Sequence, residues 1–347
     1  MGKLRVAVLM GGPSSEREVS LRSGQMVLKN LDPERYEAFA VELDELLAAP
    51  AAIAALAERA EFVFLALHGR WGEDGTVQGL LDVLGLPYQG SGVMASALAM
   101  NKVRAKAVYQ ELGLPQARWL DWRRLEEGRF VRGCAALHGD APLEPLTAAE
   151  VEARTWTTLG ADLVLKGATQ GSTLGLVMVD RREAFAAALA TVAQADEEVL
   201  IEERIRGLEL TAGVLGDAQP LALPLVEIRP RTSTTFDYEA KYTPGATDEI
   251  CPARLDPATT ARIQDLACRA HHGLGCAGTS RSDFMLRDRV AYILETNTLP
   301  GLTEGSLLPQ AARAAGIMMP ELLDRLVQAG LARQGSTSRL QRRTCQG

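Results

Sequence analysis

Arg281-Ser282-Asp283-Phe284-Met285-Leu286, a short polar turn, and then Tyr292-Ile293-Leu294-Glu295-Thr296-Asn297-Thr298-Leu299-Pro300-Gly301 read as two apolar strands joined near Asp288. Side chains two apart on a strand share a face, so Glu295 and Asn297 project together, and a hairpin brings Asp283 beside them. Ile293 and Leu294 bury the second strand, and a carboxylate and an amide leaving an apolar run need partners. Three oxygen ligands on a rigid sheet suit a hard divalent cation, magnesium first. The plain alternative is a pair of solvated strand ends.

The rest of the chain sets bounds on that reading. Its 347 residues favour two or three domains, and 47% hydrophobic with 23% charged residues is the composition of an ordinary globular protein. A net charge of −7 argues against a general nucleic-acid footprint, so any phosphate site must concentrate its lysines and arginines locally. Five widely spaced cysteines without a CxxC pair imply neither a disulfide framework nor a zinc knuckle, and a reducing cytoplasm fits best. The amino terminus enters an apolar strand directly, with neither a signal peptide nor a membrane span, and no partner membrane is expected.

Leu4–Met10 is the continuous apolar run of a buried parallel strand, followed by Gly11-Gly12-Pro13-Ser14 and a capping box of Ser15 with Glu18. Tyr36–Val41, a helical stretch over Leu46–Arg59, Phe62–Leu67 and a helix after Asp74 continue the alternation of a doubly wound sheet. Residues 1–100 therefore predict an α/β domain. Residues 101–206 predict an antiparallel α+β unit: a helix over Lys102–Leu112, then the strand Leu163–Lys166, a glycine-rich loop, the strand Leu176–Val179 and a helix over Glu183–Gln194. Residues 207–330 predict a third unit with strands at Leu208–Leu215 and Leu221–Ile228 and a helix near Pro257–Gly273. The polar stretch 229–254 within it has the length of an active-site cover. Residues 331–347 predict a disordered basic tail.

Lys166 stands at the end of a buried strand before Gly167-Ala168-Thr169-Gln170-Gly171-Ser172-Thr173-Leu174-Gly175. Backbone N–H groups freed by glycine can surround phosphate oxygens and Lys166 can neutralise them, although taken alone the loop fits a plain hairpin turn slightly better. The loop is not a Walker A motif. The first loop lacks the third glycine of a dinucleotide fingerprint, which leaves a nicotinamide oxidoreductase with little support. Glu16, at a strand end before a helix, could meet an ammonium group, and His68 in Ala66-Leu67-His68-Gly69 is a candidate substrate hydrogen-bond donor. No GxSxG elbow surrounds Ser172, which disfavours a hydrolase.

Together, Gly11–Ser20, Leu67–Gly79, Gly90–Ser96, Tyr238-Glu239-Ala240-Lys241-Tyr242 and Glu295–Gly301 resemble the D-alanine:D-alanine ligase family of ATP-grasp enzymes, in the family's order over about residues 4–328. The resemblance implies a two-lobed ATP-grasp fold behind the N-terminal domain. It implies ATP as co-substrate and two magnesium ions, with manganese as an alternative, held by Asp283, Glu295 and Asn297. Lys102 and Lys166 would meet phosphates, Gly171, Ser172, Thr173 and Gly175 would close over them, and Glu202, Glu203 and Ile205 would meet adenine and Glu209 the ribose. Glu16, with Ser172 and Tyr242, would bind the first D-alanine, and Lys241 and Ser306 would lie near phosphate and the second carboxylate. Arg281 and the Gly301 N–H would stabilise the tetrahedral oxyanion, where one such donor is worth roughly 3 kcal/mol.

The resemblance further implies a cytoplasmic homodimer that supplies a dipeptide for peptidoglycan. Three departures stand out: Asn101 where the family often has Asp, Gly167 where Pro is common, and Glu203 at a position that varies among relatives. Two alternatives remain, a ligase that takes D-lactate or D-serine second and a nucleotide-binding regulatory module without catalysis. Tyr242 in its Glu-Ala-Lys-Tyr setting favours D-alanine over the former.

Overall fold

The computed structural model describes residues 2–133, 144–171, 175–230 and 247–344. A three-stranded parallel sheet, in the order β2-β1-β3, opens the chain with β1 (Leu4–Met10), β2 (Tyr36–Glu42) and β3 (Phe62–Leu65). Val6, Ala7, Val8 and Leu9 are all fully buried, as a central strand covered on both faces requires. Helix α1 (Arg17–Asn30) links β1 to β2. The Ser15–Glu18 capping box does not form, because the helix starts later, at Arg17, with Glu16 as a cap residue that makes no side-chain cap bond. Ser14 does the local work: its Oγ accepts from the Glu16 N–H at 3.2 Å and donates to the His68 carbonyl at 2.8 Å. The helix expected over 46–59 is two, α2 (Leu43–Ala48) and α3 (Pro50–Arg59). Pro50 forces Ala49 out of the helical region, to φ −151° and ψ 136°.

After α4 (Thr76–Leu84), helices α5 (Val93–Met100) and α6 (Lys102–Glu111) carry the chain across the molecule. Ala99, Ala105 and Tyr109 pack with Leu210, Phe284 and Ile293, so these helices share their core with the C-terminal sheet and not with the central unit assigned to 101–206. The central unit proper is an antiparallel sheet in the order β5-β4-β8-β6-β7. Its strands are β4 (Trp119–Arg124), β5 (Phe130–Arg132), β6 (Leu163–Gly167), β7 (Val177–Val179) and β8 (Glu198–Glu203), covered by α7 (Ala148–Leu159) and α8 (Phe185–Ala195). A complete capping box, Thr147 with Glu150, starts α7.

The C-terminal sheet runs β12-β11-β9-β13-β14, with β10 beside β9. Its strands are β9 (Leu208–Leu215), β10 (Leu221–Ala222), β11 (Val226–Pro230), β12 (Thr247–Ile250), β13 (Thr279–Arg287) and β14 (Val290–Asn297). The expected strand 221–228 is divided around Pro224, which has no N–H to donate to a ladder. Helix α9 (Pro257–Gly273) covers one face through Ile263, Leu266 and Ala270, starting from an Asp256 cap whose side chain accepts from the Thr259 N–H. Helix α10 (Leu307–Ala314) and helix α11 (Met319–Thr344) end the chain. Leu322, Leu323, Leu326 and Val327 of α11 join Val6, Val8, Phe62 and Phe64 in one core, so the last helix belongs to the parallel-sheet domain, not to the lobe assigned to 207–330. The segment expected to be a disordered tail continues α11 as far as Thr344. Helix formers such as Leu331, Ala332 and Arg333 extend it, and no proline stops it.

Candidate active site

The β13–β14 hairpin forms as its sequence demands. Arg287 pairs with Val290 across the two-residue turn Asp288-Arg289, both with positive φ (50° and 67°), which is the twist a tight hairpin needs. Asp283 stands directly opposite Glu295 and Arg281 opposite Asn297, so all four side chains share one face. A bulge follows Asp283, where Leu294 on β14 is the additional residue. On the other face a buried hydroxyl chain ties the pair together: Tyr109 Oη donates to Thr296 Oγ1 at 2.8 Å, and Thr296 Oγ1 lies 2.8 Å from Ser282 Oγ.

Arg281 makes a two-pronged ion pair with Asp283, Nε to Oδ1 and Nη2 to Oδ2, each at 3.0 Å. Thr211 donates to the same Oδ1 at 2.6 Å. Burial works against the guanidinium charge, but Asp283 and then Glu295 and Glu73 outweigh it and hold Arg281 firmly protonated. Lys102, at the start of α6, lies 3.3 Å from Glu295 Oε2 and donates to the Gln170 carbonyl at 2.6 Å. Asn101 Oδ1 caps that helix by accepting from the Arg104 N–H at 3.0 Å, and its amide donates to Glu198 at 2.9 Å.

Lys166 on β6 reaches Glu202 on β8 at 2.5 Å. The other oxygen of Glu202 meets Lys106 of α6, also at 2.5 Å. Burial raises the Glu202 carboxyl, yet the two lysines more than reverse it and the net direction is down. For Lys166, burial pushes down and Glu202 with Glu295 pushes up more strongly; for Lys106, burial wins and the ammonium is held below its usual range. Bringing each such charge out of water costs several kcal/mol on an order-of-magnitude basis, so a buried triad of this kind argues for a task beyond stability. Glu203 takes the Arg118 guanidinium at 2.8 Å, Ile205 is buried in the segment joining the two sheets, and Glu209 on β9 stands between Ile228 and Met285.

A cavity of ≈ 630 Å³ opens between the parallel-sheet domain and the C-terminal sheet, lined among others by Glu16, His68, Arg281, Asp283, Asn297, Gly301 and Ser306. A smaller space of ≈ 70 Å³ beside it is lined by Glu16, Glu73, Lys102, Gly171, Arg281, Glu295 and Asn297. The predicted residues from both ends of the chain thus converge. Gly301 lies where a Cβ would stand 2.8 Å from Ser306 Oγ and 3.9 Å from His68 Cε1, so only glycine lets its backbone face the cavity this closely. Ser306 Oγ accepts from the Thr303 N–H at 3.0 Å. His68 Nε2 is 3.0 Å from Ser23 Oγ and Nδ1 is 3.7 Å from Glu73 Oε1. Gly175, with φ 72°, ends the loop that Gly171 begins; Ser172, Thr173, Lys241 and Tyr242 lie outside the described residues.

Glu73 and Lys106 were not singled out by sequence reasoning. Glu73 sits in the turn after His68, with its carboxyl pushed up by burial, partly offset by the neighbouring His68 ring, and pushed further by the nearby charge of Glu16. Its signal was an acid inside a glycine-rich turn at a strand end. Lys106 follows Lys102 by four residues, the spacing that puts two side chains on one helix face. Among the described residues no three His, Cys, Asp or Glu side chains form a metal cage. Asp283, Glu295 and Asn297 are two carboxylates and an amide, the sparse oxygen set from which magnesium is held together with water and phosphate oxygens.

A parallel-sheet domain followed by two antiparallel sheets, with helix α6 ion-paired to a carboxylate of each, is the architecture of an ATP-grasp protein. Family models described as D-ala D-ala ligase N-terminus and D-ala D-ala ligase C-terminus match residues 5–49 and 47–91, and 142–328, respectively. The chain is 46% identical over 330 residues to a D-alanine–D-alanine ligase of Syntrophobacter fumaroxidans, covering 95% of this chain and 98% of that one. It is 44% identical to a ligase of the same name from Desulforudis audaxviator, covering 93% and 97%. The crystal structure of D-alanine–D-alanine ligase from Bacillus anthracis complexed with ATP superimposes with a TM-score of 0.77 at 31% identity, over 96% of this chain and 99% of that one. A D-Ala:D-Ser ligase from Enterococcus faecalis gives 0.77 at 26% identity, over 94% and 99%. The chain belongs to the D-alanine–D-alanine ligase family.

Proposed function

We propose that the protein joins two D-alanine molecules at the expense of ATP, giving D-alanyl-D-alanine, ADP and phosphate for peptidoglycan precursor synthesis. The observation that carries this is the convergence of Glu16, His68, Arg281, Asp283, Asn297, Gly301 and Ser306 on one cavity, with Lys102 and Glu295 in the space beside it. In the first step a carboxylate oxygen of one D-alanine attacks the terminal phosphorus of ATP, and the bond to ADP breaks. In the second step the amine of the other D-alanine attacks the acyl carbon, loses a proton and expels phosphate. Both steps develop negative charge, so positioning and fixed positive groups supply most of the catalysis.

Glu16 takes the first ammonium, and the resemblance adds Ser172 and Tyr242 to that contact. Arg281 and the Gly301 N–H face the oxyanion of the tetrahedral state, and the Asp283 carboxylate fixes the guanidinium plane. His68 hydrogen-bonds the substrate, and Ser306 and Lys241 lie near the second carboxylate, Lys241 also near phosphate. Lys102 and Lys166 meet phosphates, with Gly171, Ser172, Thr173 and Gly175 above them, while Glu202, Glu203 and Ile205 receive adenine and Glu209 the ribose. Asp283, Glu295 and Asn297 would hold two magnesium ions, or manganese, which when bound neutralise the phosphate oxygens. A cytoplasmic homodimer is part of the proposal; exposed Val83, Val93 and Met94 on α4 and α5 offer apolar surface for a second copy to cover.

The similarity to the D-Ala:D-Ser ligase favours D-serine as the rival second substrate. Product analysis with D-alanine, D-serine and D-lactate in competition decides: D-alanyl-D-alanine is expected to predominate, and a predominance of either mixed product would overturn the assignment.

A further inference from the structure

Glu202 is bracketed by two ammonium groups, Lys166 on one oxygen and Lys106 on the other, each at 2.5 Å. The two lysines differ in reach. Lys166 keeps 11% of its side chain exposed, whereas Lys106 is fully enclosed. Gln116 closes it in: Lys106 Nζ is 3.5 Å from Gln116 Oε1, and Gln116 Nε2 donates back to the Lys106 carbonyl at 3.1 Å. Lys106, with no exposed side chain, therefore cannot touch a bound nucleotide, and yet it brings an amine to a carboxylate that the hydrophobic packing of α6 does not need.

We propose that Lys106 is a positioning residue for nucleotide binding, the enclosed ion-pair partner of Glu202 that leaves Lys166 free to exchange Glu202 for the nucleotide. The inference rests on the ATP-dependent reading above. Before nucleotide arrives, Lys166 is committed to Glu202. Among the described residues Glu202 ion-pairs only with these two lysines, so if Lys166 turned to a phosphate or to the base without Lys106 present, a buried carboxylate would be left with no cation beside it. With Lys106 in place, Glu202 keeps an ion-pair partner at 2.5 Å while Lys166 moves. Helix α6 thereby joins the two halves of the nucleotide site, Lys102 reaching Glu295 of the C-terminal sheet and Lys106 reaching Glu202 of the central sheet.

Lys106→Met keeps a long unbranched side chain and removes the charge. Steady-state kinetics of the full-length protein, with ATP and D-alanine varied in turn, are expected to show KM for ATP raised about 10-fold or more while kcat and KM for D-alanine stay within about 2-fold of wild type. A variant that is merely less stable, with KM for ATP unchanged, would overturn the proposal. Wild-type protein assayed alongside separates the two levels: if it shows no D-alanine-dependent use of ATP, the functional reading itself fails. Should Lys106→Met not fold, a crystal structure of the wild type with ADP and magnesium decides. Lys166 is expected to have left Glu202 for the nucleotide while Lys106 keeps its contact; Lys166 still on Glu202, or Lys106 displaced from it, would contradict the assignment.

Discussion

The parallel-sheet domain reaches the cavity through helix α1 and the turns that follow its strands, whereas the antiparallel C-terminal sheet reaches it with strand residues as well as the loop after β14. Glu16 and His68 follow β1 and β3, and their placement depends on tight backbone geometry: Gly69 has φ 68° and Trp71 has φ 76°. A Cβ at Gly69 would lie 2.8 Å from Glu16 Oε2. Arg281, Asp283, Glu295 and Asn297 depend instead on register, and a slip of one residue would turn the whole set to the opposite face. A site built this way divides its labour. In the proposed reaction the rigid strand face would carry the charges that hold geometry through phosphoryl transfer, and the turns after β1 and β3 the groups that recognise the amino acid.

That division predicts unequal consequences. Glu295→Gln removes a charged oxygen from the strand face and a partner of Lys102; turnover at limiting magnesium is expected to fall by more than about 100-fold, since even groups one step removed from a metal cost 10–100-fold. A magnesium titration of the variant checks this, and wild-type turnover at low magnesium would remove Glu295 from the metal site. Arg281→Ala should cost roughly 100- to 1,000-fold in kcat, the loss typical of an oxyanion donor, with a smaller change in KM for ATP. Gly69→Ala acts on the turn side. The positive φ costs about 1 kcal/mol and the added methyl displaces Glu16, so KM for D-alanine should rise about 10-fold while the magnesium dependence stays that of the wild type. A parallel shift in magnesium dependence would mean that turn and strand face are not separate.

The smallest effect falls outside the site. His271 on α9 is buried behind β13, with Nδ1 2.7 Å from Ser280 Oγ, and burial pushes its imidazole down to about 4 from the ordinary 6.5. The unfolded chain binds this proton near pH 6.5 and the folded protein only near pH 4, so the contribution is whole above pH 6.5 and is lost as pH falls through that window. Its size is at most about 3 kcal/mol. Denaturant unfolding between pH 7 and pH 4 should show this slope, and His271→Asn should flatten it without changing kcat at neutral pH.

The strand-face half of the site was legible in sequence because a period of two is a local rule: Asp283, Glu295 and Asn297 could be placed on one face from spacing alone. Glu73 and Lys106 were not, because their roles depend on which elements fold against them. Nothing in Lys102–Glu111 announces that its second lysine will be sealed against a carboxylate nearly one hundred residues later. The same holds for α5, α6 and α11, whose patterns showed helices but not that they would pack on sheets distant in sequence. Two departures from the family pattern have a local reason in the structure. The Asn101 amide donates to Glu198, where an aspartate would face a like charge. A Cβ at Gly167 would lie 2.7 Å from the Cβ of Asp196, which leaves no room for proline. The loop half of the site, Ser172, Thr173, Lys241 and Tyr242, rests on motif resemblance.

The central claim is that turn-borne and strand-borne groups act on one substrate pair within one cavity. Parallel quantification of phosphate and dipeptide from purified protein with ATP, magnesium and D-alanine tests it directly. The account predicts one phosphate per D-alanyl-D-alanine and neither product when D-alanine or magnesium is left out; phosphate release without D-alanine, or without dipeptide, would contradict it.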